Sequence, residues 1–170
     1  EPHAVPLRAA LANALAVLDS RIQQTSAQVL LDVAEPEPVA WCDGNRLEQV
    51  LVNLINNALD AMAGSTVLRV EIRCEQQATA GGEQVHVQVR DLGPGLSDEA
   101  LAHLFEPFFT TKGSGDGLGL GLALSAGIVR ESGGTLSGAN HPGGGAVFHL
   151  ALPAAPRPEA KIADTAPDRP

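Results

Sequence analysis

Basic residues are scarce in this chain: 11 Lys and Arg stand against 20 Asp and Glu, a formal net charge of -9 over 170 residues. That excludes a nucleic-acid surface, which needs a concentrated basic face, and disfavours an anionic membrane surface. No apolar run approaches the roughly 20 residues of a membrane span, and no signal-peptide pattern opens the sequence. Cysteine is limited to Cys42 and Cys74, in unrelated segments and without metal-ligand spacing; a disulfide scaffold is excluded and two free thiols are expected. An initiator Met is lacking, so the start, EPHAVPLRAAL, reads as a cut from something longer. Aromatic residues make up only 3% of the chain, yet three of the four phenylalanines fall within five residues, Phe105, Phe108 and Phe109. Hydrophobic residues reach 44%, enough for one domain with a packed core.

Periodicity predicts helices over about 6–20, 45–62, 98–104 and 121–132. Pro6 suits the first turn of the first helix. Asn45 is the expected N-cap of the second, with Glu48 completing a capping box, and Ser97 the expected N-cap of the third. Strands are expected at 27–33, 39–42, 67–74, 83–91, 134–140 and 145–152, the third and fourth alternating strictly and joined by a hairpin-type connection. Helices and strands alternate irregularly and the last four strands form hairpin-like pairs. The expected fold class is therefore α+β: a two-layer α/β sandwich, with a mixed, mainly antiparallel sheet and helices on one face. From Pro153 onward Pro, Ala and charges dominate, and 153–170 reads as a disordered tail.

Three stretches carry candidate chemistry. In the second helix, RLEQVLVNLINNALDAM, Leu47, Val50, Leu51, Leu54, Ile55, Ala58 and Met62 share a sector of about 140°, while Asn53, Asn57 and Asp60 share a neighbouring one of about 60°. Asparagine prefers caps and turns to helix interiors. Oxygen-bearing side chains bordering the core read either as a solvated face or as a site for a hard cation or phosphate. An amide oxygen coordinates Mg²⁺ without adding charge. Next, the fourth strand ends in Asp91-Leu92-Gly93-Pro94-Gly95-Leu96. This is a turn in the plain reading; in the functional one a carboxylate accepts from an amine while the glycines let a flat ring approach the backbone. Third, Gly117, Gly119 and Gly121 alternate with Leu118, Leu120 and Leu122 and run into a helix. Such a stretch is a floppy linker or an anion site made of bare N–H groups at a helix N-terminus. It is neither a P-loop nor a dinucleotide fingerprint. Just before it, LFEPFFTTK reads as a hydrophobic plug or as the anchor of a lid.

In this order the pieces resemble the ATP-binding catalytic domain of bacterial sensor histidine kinases, within the gyrase, heat-shock chaperone, histidine kinase and MutL superfamily with its Bergerat-type fold. NLINNALDA resembles the N box, DLGPGL and GLGLGLALS the glycine boxes, LFEPFFTTK the F box and GGGAVFHL the last box, over roughly residues 28–152. The wording is most similar to the class of the dicarboxylate sensor DctB and the nitrogen sensor NtrB, which extends to a C4-dicarboxylate-type signal. The resemblance implies ATP and Mg²⁺ as cofactors, with Asn57 holding Mg²⁺ and Asn53 assisting at the metal–phosphate region. Asp60 and Ala61 would complete that helix end. It implies Asp91 as acceptor from the adenine amine, with Gly93, Gly95 and Leu96 beside the ring. Gly117, Leu118, Gly119, Leu120, Gly121 and Leu122 would cover the phosphates, and Thr110, Thr111 and Lys112 would belong to the lid. Two departures stand out: many members carry Lys where this chain has Asp60, and Ser or Thr where it has Ala146.

Superfamily hydrolases carry a Glu one turn before the metal Asn; here that position is Asn53, and an amide is no general base. The resemblance therefore implies phosphoryl transfer by positioning and charge neutralisation. None of His3, His86, His103, His141 and His149 has the context of a phosphoacceptor. The acceptor is expected on a separate helical dimerisation domain, reached through a linker helix at 1–26, and a response regulator receiver domain is the indirect partner. The piece is expected to be monomeric, the cytoplasmic domain of an inner-membrane sensor without membrane contact of its own. An ATPase-type switch of the same fold and a nucleotide-free interaction module remain alternatives.

Overall fold

The structure, a computed structural model, describes residues 1–109 and 121–157. Elements run β1 (His3–Pro6), α1 (Leu7–Thr25), β2 (Gln28–Val33), β3 (Val39–Cys42), α2 (Gly44–Ala61), β4 (Arg69–Thr79), β5 (Gly82–Asp91), α3 (Asp98–Ala102), α4 (Gly121–Glu131), β6 (Thr135–Asn140) and β7 (Ala146–Pro153). Five strands form one sheet in the order β2-β4-β5-β7-β6; β2 is parallel to β4 and every other pairing is antiparallel. β1 and β3 make a separate antiparallel pair. The mixed, mainly antiparallel α+β sandwich is thus the observed fold.

Alternation decides which face of the sheet is covered. Val70, Ile72 and Cys74 of β4, Val85, Val87 and Val89 of β5, and Phe148, Leu150 and Leu152 of β7 are all buried, on the helical side. Glu71, Arg73 and Glu75, then His86, Gln88 and Arg90, occupy the other face. The stripe on α2 is buried as its period predicts, and Leu59 joins it. Its N-cap is Asp43 instead of Asn45: the Asp43 carboxylate accepts from the backbone N–H groups of Asn45 and Arg46, so the cap lies two residues earlier and the helix opens at Gly44. Glu48 closes no capping box; it accepts from Asn13 of α1 at 2.7 Å. Pro6 precedes α1 as its extended N-cap residue.

Residues 1–26, read from the sequence as a linker, supply β1 and α1. Leu7, Ala10, Leu11, Ala14 and Leu18 form a helical stripe buried in the same core as α2. At the other end, Pro153 is the last residue of β7; Ala154 bridges Ala40, and the Ala155 N–H donates to Val39. Tail residues 158–170 lie outside the described residues. The hairpin expected at 75–82 is tighter than the sequence suggested, because β4 extends to Thr79 and turns through two residues into β5.

On the open face, the Nδ1 of His86 lies 2.7 Å from the Nε2 of His149. Burial, first, and the neighbouring His86, second, hold the His149 imidazole below its ordinary 6.5, against the opposing pull of Glu75. The folded protein thus binds this proton less readily than the unfolded chain, so the stability contributed is full above pH 6.5 and is lost as pH falls through the folded value. Denaturant titrations between about pH 7 and about pH 5 should show stability falling with acidification. In His149→Gln that slope should flatten; an unchanged slope would assign it elsewhere.

Candidate functional site

The C-terminal half of α2 and the end of β5 meet at one edge of the core. Burial of its apolar stripe fixes the rotation of α2 and leaves Asn53, Asn57 and Asp60 half-buried at the border. Asn53 donates from Nδ2 to the Oγ of Ser125 at 3.1 Å and, at 3.5 Å, to the carbonyl of Gly121. Ser125 is fully buried, and Gly121 and Leu122 open α4. The α4 N-terminus is therefore pinned beside the α2 stripe, and the helix dipole directs its positive end there. Asn57 lies one turn beyond Asn53 and makes no hydrogen bond to a described residue, so its amide oxygen is available to a cation. Asp60 is paired instead with Arg21 of α1, Nη2 to Oδ1 at 2.5 Å.

Asp91 closes β5 and is 1% exposed. Its Oδ1 accepts from the N–H of Gly93 at 2.8 Å and of Ala146 at 3.3 Å. Desolvation pushes the Asp91 carboxyl above its ordinary 3.8, while these two N–H groups and Arg90 pull the other way. Among the described residues none donates to Oδ2, the oxygen left to accept from a ligand. The glycines here are a matter of space. A Cβ on Gly93 would lie 2.6 Å from the carbonyl oxygen of Ala61, and one on Gly95, at φ +84°, would lie 2.8 Å from the Oδ1 of Asn140. The Ala61 carbonyl thus forms a backbone wall against Gly93, and the buried Met62 sulfur accepts from the Leu92 N–H at 3.4 Å.

Asn140 was not anticipated. Its amide clamps the turn after Asp91 from both sides, accepting from the Leu96 N–H at 2.7 Å and donating to the Leu96 carbonyl at 2.8 Å. In the sequence it is one Asn at a strand end before HPGGG, which reads as turn chemistry. Ser125 was also missed, although a hydroxyl inside an apolar helix was its signal. Arg90 steadies the same hairpin by donating to the Gly144 carbonyl at 3.0 Å. Phe105 packs against the core, whereas Phe108 is exposed at φ +67°. Thr110, Thr111, Lys112, Gly117, Leu118, Gly119 and Leu120 lie outside the described residues.

A buried acceptor at one end, an amide stripe facing a helix N-terminus at the other, and glycine-walled backbone between them suit a molecule with an amine-bearing flat ring and an anionic tail. That is the class of a nucleotide-binding catalytic domain on an α/β sandwich. Comparison of the sequence with known families matches residues 42–156 to the histidine kinase-, DNA gyrase B- and HSP90-like ATPases, and the chain belongs to that family. It is an ATP-binding catalytic domain of the histidine kinase type. It is 42% identical over 153 residues to the C4-dicarboxylate transport sensor protein DctB of Pseudomonas aeruginosa, which covers 89% of this chain but only 24% of that protein. The chain thus spans about a quarter of that relative's length. The catalytic domain of histidine kinase ThkA has a similar structure, with a TM-score of 0.78 at 28% identity, covering 92% of this chain and 99% of that domain. A structure of ThkA in complex with the response regulator protein TrrA matches with a TM-score of 0.74 at 25% identity, over 91% of this chain and 42% of that one.

Proposed function

We propose that this domain transfers the γ-phosphoryl group of ATP to a histidine on a separate helical dimerisation domain of the same protein, for relay to a response regulator receiver domain. The observation that carries this reading is Asn53. A water-activating hydrolase needs a base one turn before Asn57, and this side chain is an amide already bonded to Ser125. Glu48, the nearest carboxylate before it on α2, points to α1 through Asn13. All five histidines lie on strands, in a turn or at the end of the short α3, none on an exposed long helix, so the acceptor comes from elsewhere. The TrrA complex of ThkA supports a receiver domain as the partner of the relay.

In this reading Asp91 accepts from the adenine amine through Oδ2, with Gly93, Gly95 and Leu96 beside the ring. The donor set fits a hard cation: Asn57 would hold Mg²⁺ through its amide oxygen, and Mg²⁺ would supply charge neutralisation at the phosphates. Asn53 holds the α4 N-terminus, which would face the phosphates, and Gly117 to Leu122 would cover them. Thr110, Thr111 and Lys112 would belong to the lid. Residues 1–26 would join this domain to the helical one. The whole protein is read as an inner-membrane sensor with this domain in the cytoplasm; among the described residues no helix is long and apolar enough to cross a membrane. DctB-type similarity favours a C4-dicarboxylate signal.

The test is calorimetric titration of ATP with Mg²⁺ and with a chelator, on the unmutated chain and Asn57→Ala. We expect micromolar-range binding whose strengthening by Mg²⁺ disappears in Asn57→Ala, while the metal-free affinity stays within about threefold. Label should pass from ATP to a histidine-bearing helical domain supplied in trans, and steady hydrolysis by this chain alone should be absent. Steady hydrolysis would favour the ATPase switch, and a chain that binds no ATP the interaction module. The isolated domain should scatter light as a monomer.

A further inference from the structure

Arg21, on the face of α1 turned to α2, reaches three acceptors at once. One terminal nitrogen donates to the side-chain oxygen of Asn56 and, at 3.2 Å, to the Asn56 carbonyl; the other donates to the Asp60 carboxylate at 2.5 Å. The group is a guanidinium fork laid across one turn of α2, from position 56 to position 60. Only a planar, always charged side chain makes that grip. It is also half-sheltered: Arg21 is 35% and Asp60 30% exposed at the side chain.

Where the fork sits matters more than its strength. Around the α2 axis, at about 100° per residue, Asn53 and Asn57 lie about 40° apart. Asp60 falls about 60° from Asn57 on the side of Asn53, and Asn56 about 40° further on in the same direction. Asp60 therefore borders the stripe that faces the α4 N-terminus, within one turn of Asn57. In a chain of net charge -9, a carboxylate loose at that border would repel a triphosphate and compete with it for cations. Arg21 draws the carboxylate toward Asn56, away from Asn57, and neutralises it. It occupies the Asn56 amide oxygen as well. Of the three oxygen-bearing side chains of that turn, Asn57 alone is left for the metal.

We propose that Arg21 is a positioning residue of the nucleotide site: it masks the Asp60 charge from the phosphates and sets the C-terminal turn of α2 so that Asn57 faces the cation. The inference rests on the ATP-site reading above. It also ties α1 to the site, so that a displacement of α1 along α2 would withdraw this cation from Asp60 and lower affinity for the charged end of the nucleotide.

The experiment is a ladder of ligand charge. Affinities for ATP, ADP and adenosine are measured with Mg²⁺ for the unmutated chain, Arg21→Ala, Asp60→Asn and Arg21→Ala/Asp60→Asn, with a melting curve for each. Arg21→Ala should lose on the order of tenfold for ATP, less for ADP and nothing for adenosine, because the loss scales with ligand charge. Adding Asp60→Asn should restore ATP affinity to within about threefold, and raising the salt concentration should shrink the defect. An equal loss for all three ligands, or no rescue by Asp60→Asn, would reduce Arg21 to a structural tie and overturn the proposal. Should Arg21→Ala not fold, Arg21→Lys, which keeps the charge without the fork, should preserve ATP affinity better than Arg21→Gln; parity of those two overturns the proposal as well. An unmutated chain that binds no ATP would instead remove the ATP-site reading itself.

Discussion

Asp91→Asn should abolish most ATP binding while leaving the fold as stable as before, or more so. The site is built so that those two quantities separate. Oδ1 is held by the Gly93 and Ala146 N–H groups, and an asparagine oxygen accepts the same two bonds. The amide NH₂ then takes the place of Oδ2, where an adenine amine needs an acceptor. Two donors face each other in a buried site, and a charge-assisted hydrogen bond is lost. A loss of about 100-fold in affinity is expected from those two effects. Stability moves the other way because desolvation has raised the Asp91 carboxyl in the fold. The stability such a group contributes is present below the unfolded value of 3.8 and is lost as pH rises through the folded value. At neutral pH the buried carboxylate is therefore a burden on the folded state, and Asn removes it. Melting curves near pH 7 should show Asp91→Asn no lower than the unmutated chain, with calorimetry showing the loss of ATP. A variant that still binds ATP within about threefold would displace Asp91 from the adenine end of the site.

The opposition between stability and function at Asp91 explains in part what the sequence made legible. Elements whose period is imposed by burial were readable: the stripe of α2, the alternation of β4 and β5, and the N-cap at Ser97, whose hydroxyl accepts from Ala100. Motif positions were readable because they break local rules, as asparagines in a helix interior and glycines at a strand end do. What stayed hidden depends on contacts distant in sequence. β1 is four residues long and exists because β3, which begins only at Val39, supplies its partner. β7 inserts between β5 and β6, an order that hairpin counting does not reveal. Asp43, not the expected Asn45, caps α2, because its carboxylate reaches the Asn45 and Arg46 N–H groups. Asn140 and Arg21 gained their roles only when folding set them against Leu96 and Asp60, 44 and 39 residues away. Arg21 in particular falls just past the helix expected over about 6–20, and only the longer α1, which runs to Thr25, sets it against α2. The pairing also gives the departure at Asp60, where many family members carry Lys, a physical setting: the cation comes from α1 instead of from α2 itself.

The second large effect is on stability, at Gly145. This residue sits at φ +76°, buried, in the turn between β6 and β7, and an added Cβ would lie 1.9 Å from the carbonyl oxygen of Asp91 and 3.1 Å from its Oδ1. A backbone oxygen cannot swing aside as a long side chain can, so Gly145→Ala must move either the hairpin or the end of β5. Moving the hairpin weakens the bond from the Ala146 N–H to Asp91 and the bond from the His141 N–H to the Gly145 carbonyl, now 2.8 Å. Moving β5 shifts Asp91 itself. We expect a loss of about 3 kcal/mol or more, against about 1 kcal/mol for Gly64→Ala. Gly64 is the control because its φ is +82° and a Cβ there meets nothing within 4 Å. The two substitutions share the backbone penalty and differ in the clash, so their difference in urea midpoint measures the contact alone. ATP should also bind more weakly to Gly145→Ala than to Gly64→Ala at a temperature where both are folded, because the turn that strains is the one that holds Asp91, the proposed adenine acceptor, in place. Equal midpoints would mean that the hairpin yields freely, and that the close approach of Gly145 to Asp91 contributes nothing to the rigidity of the site.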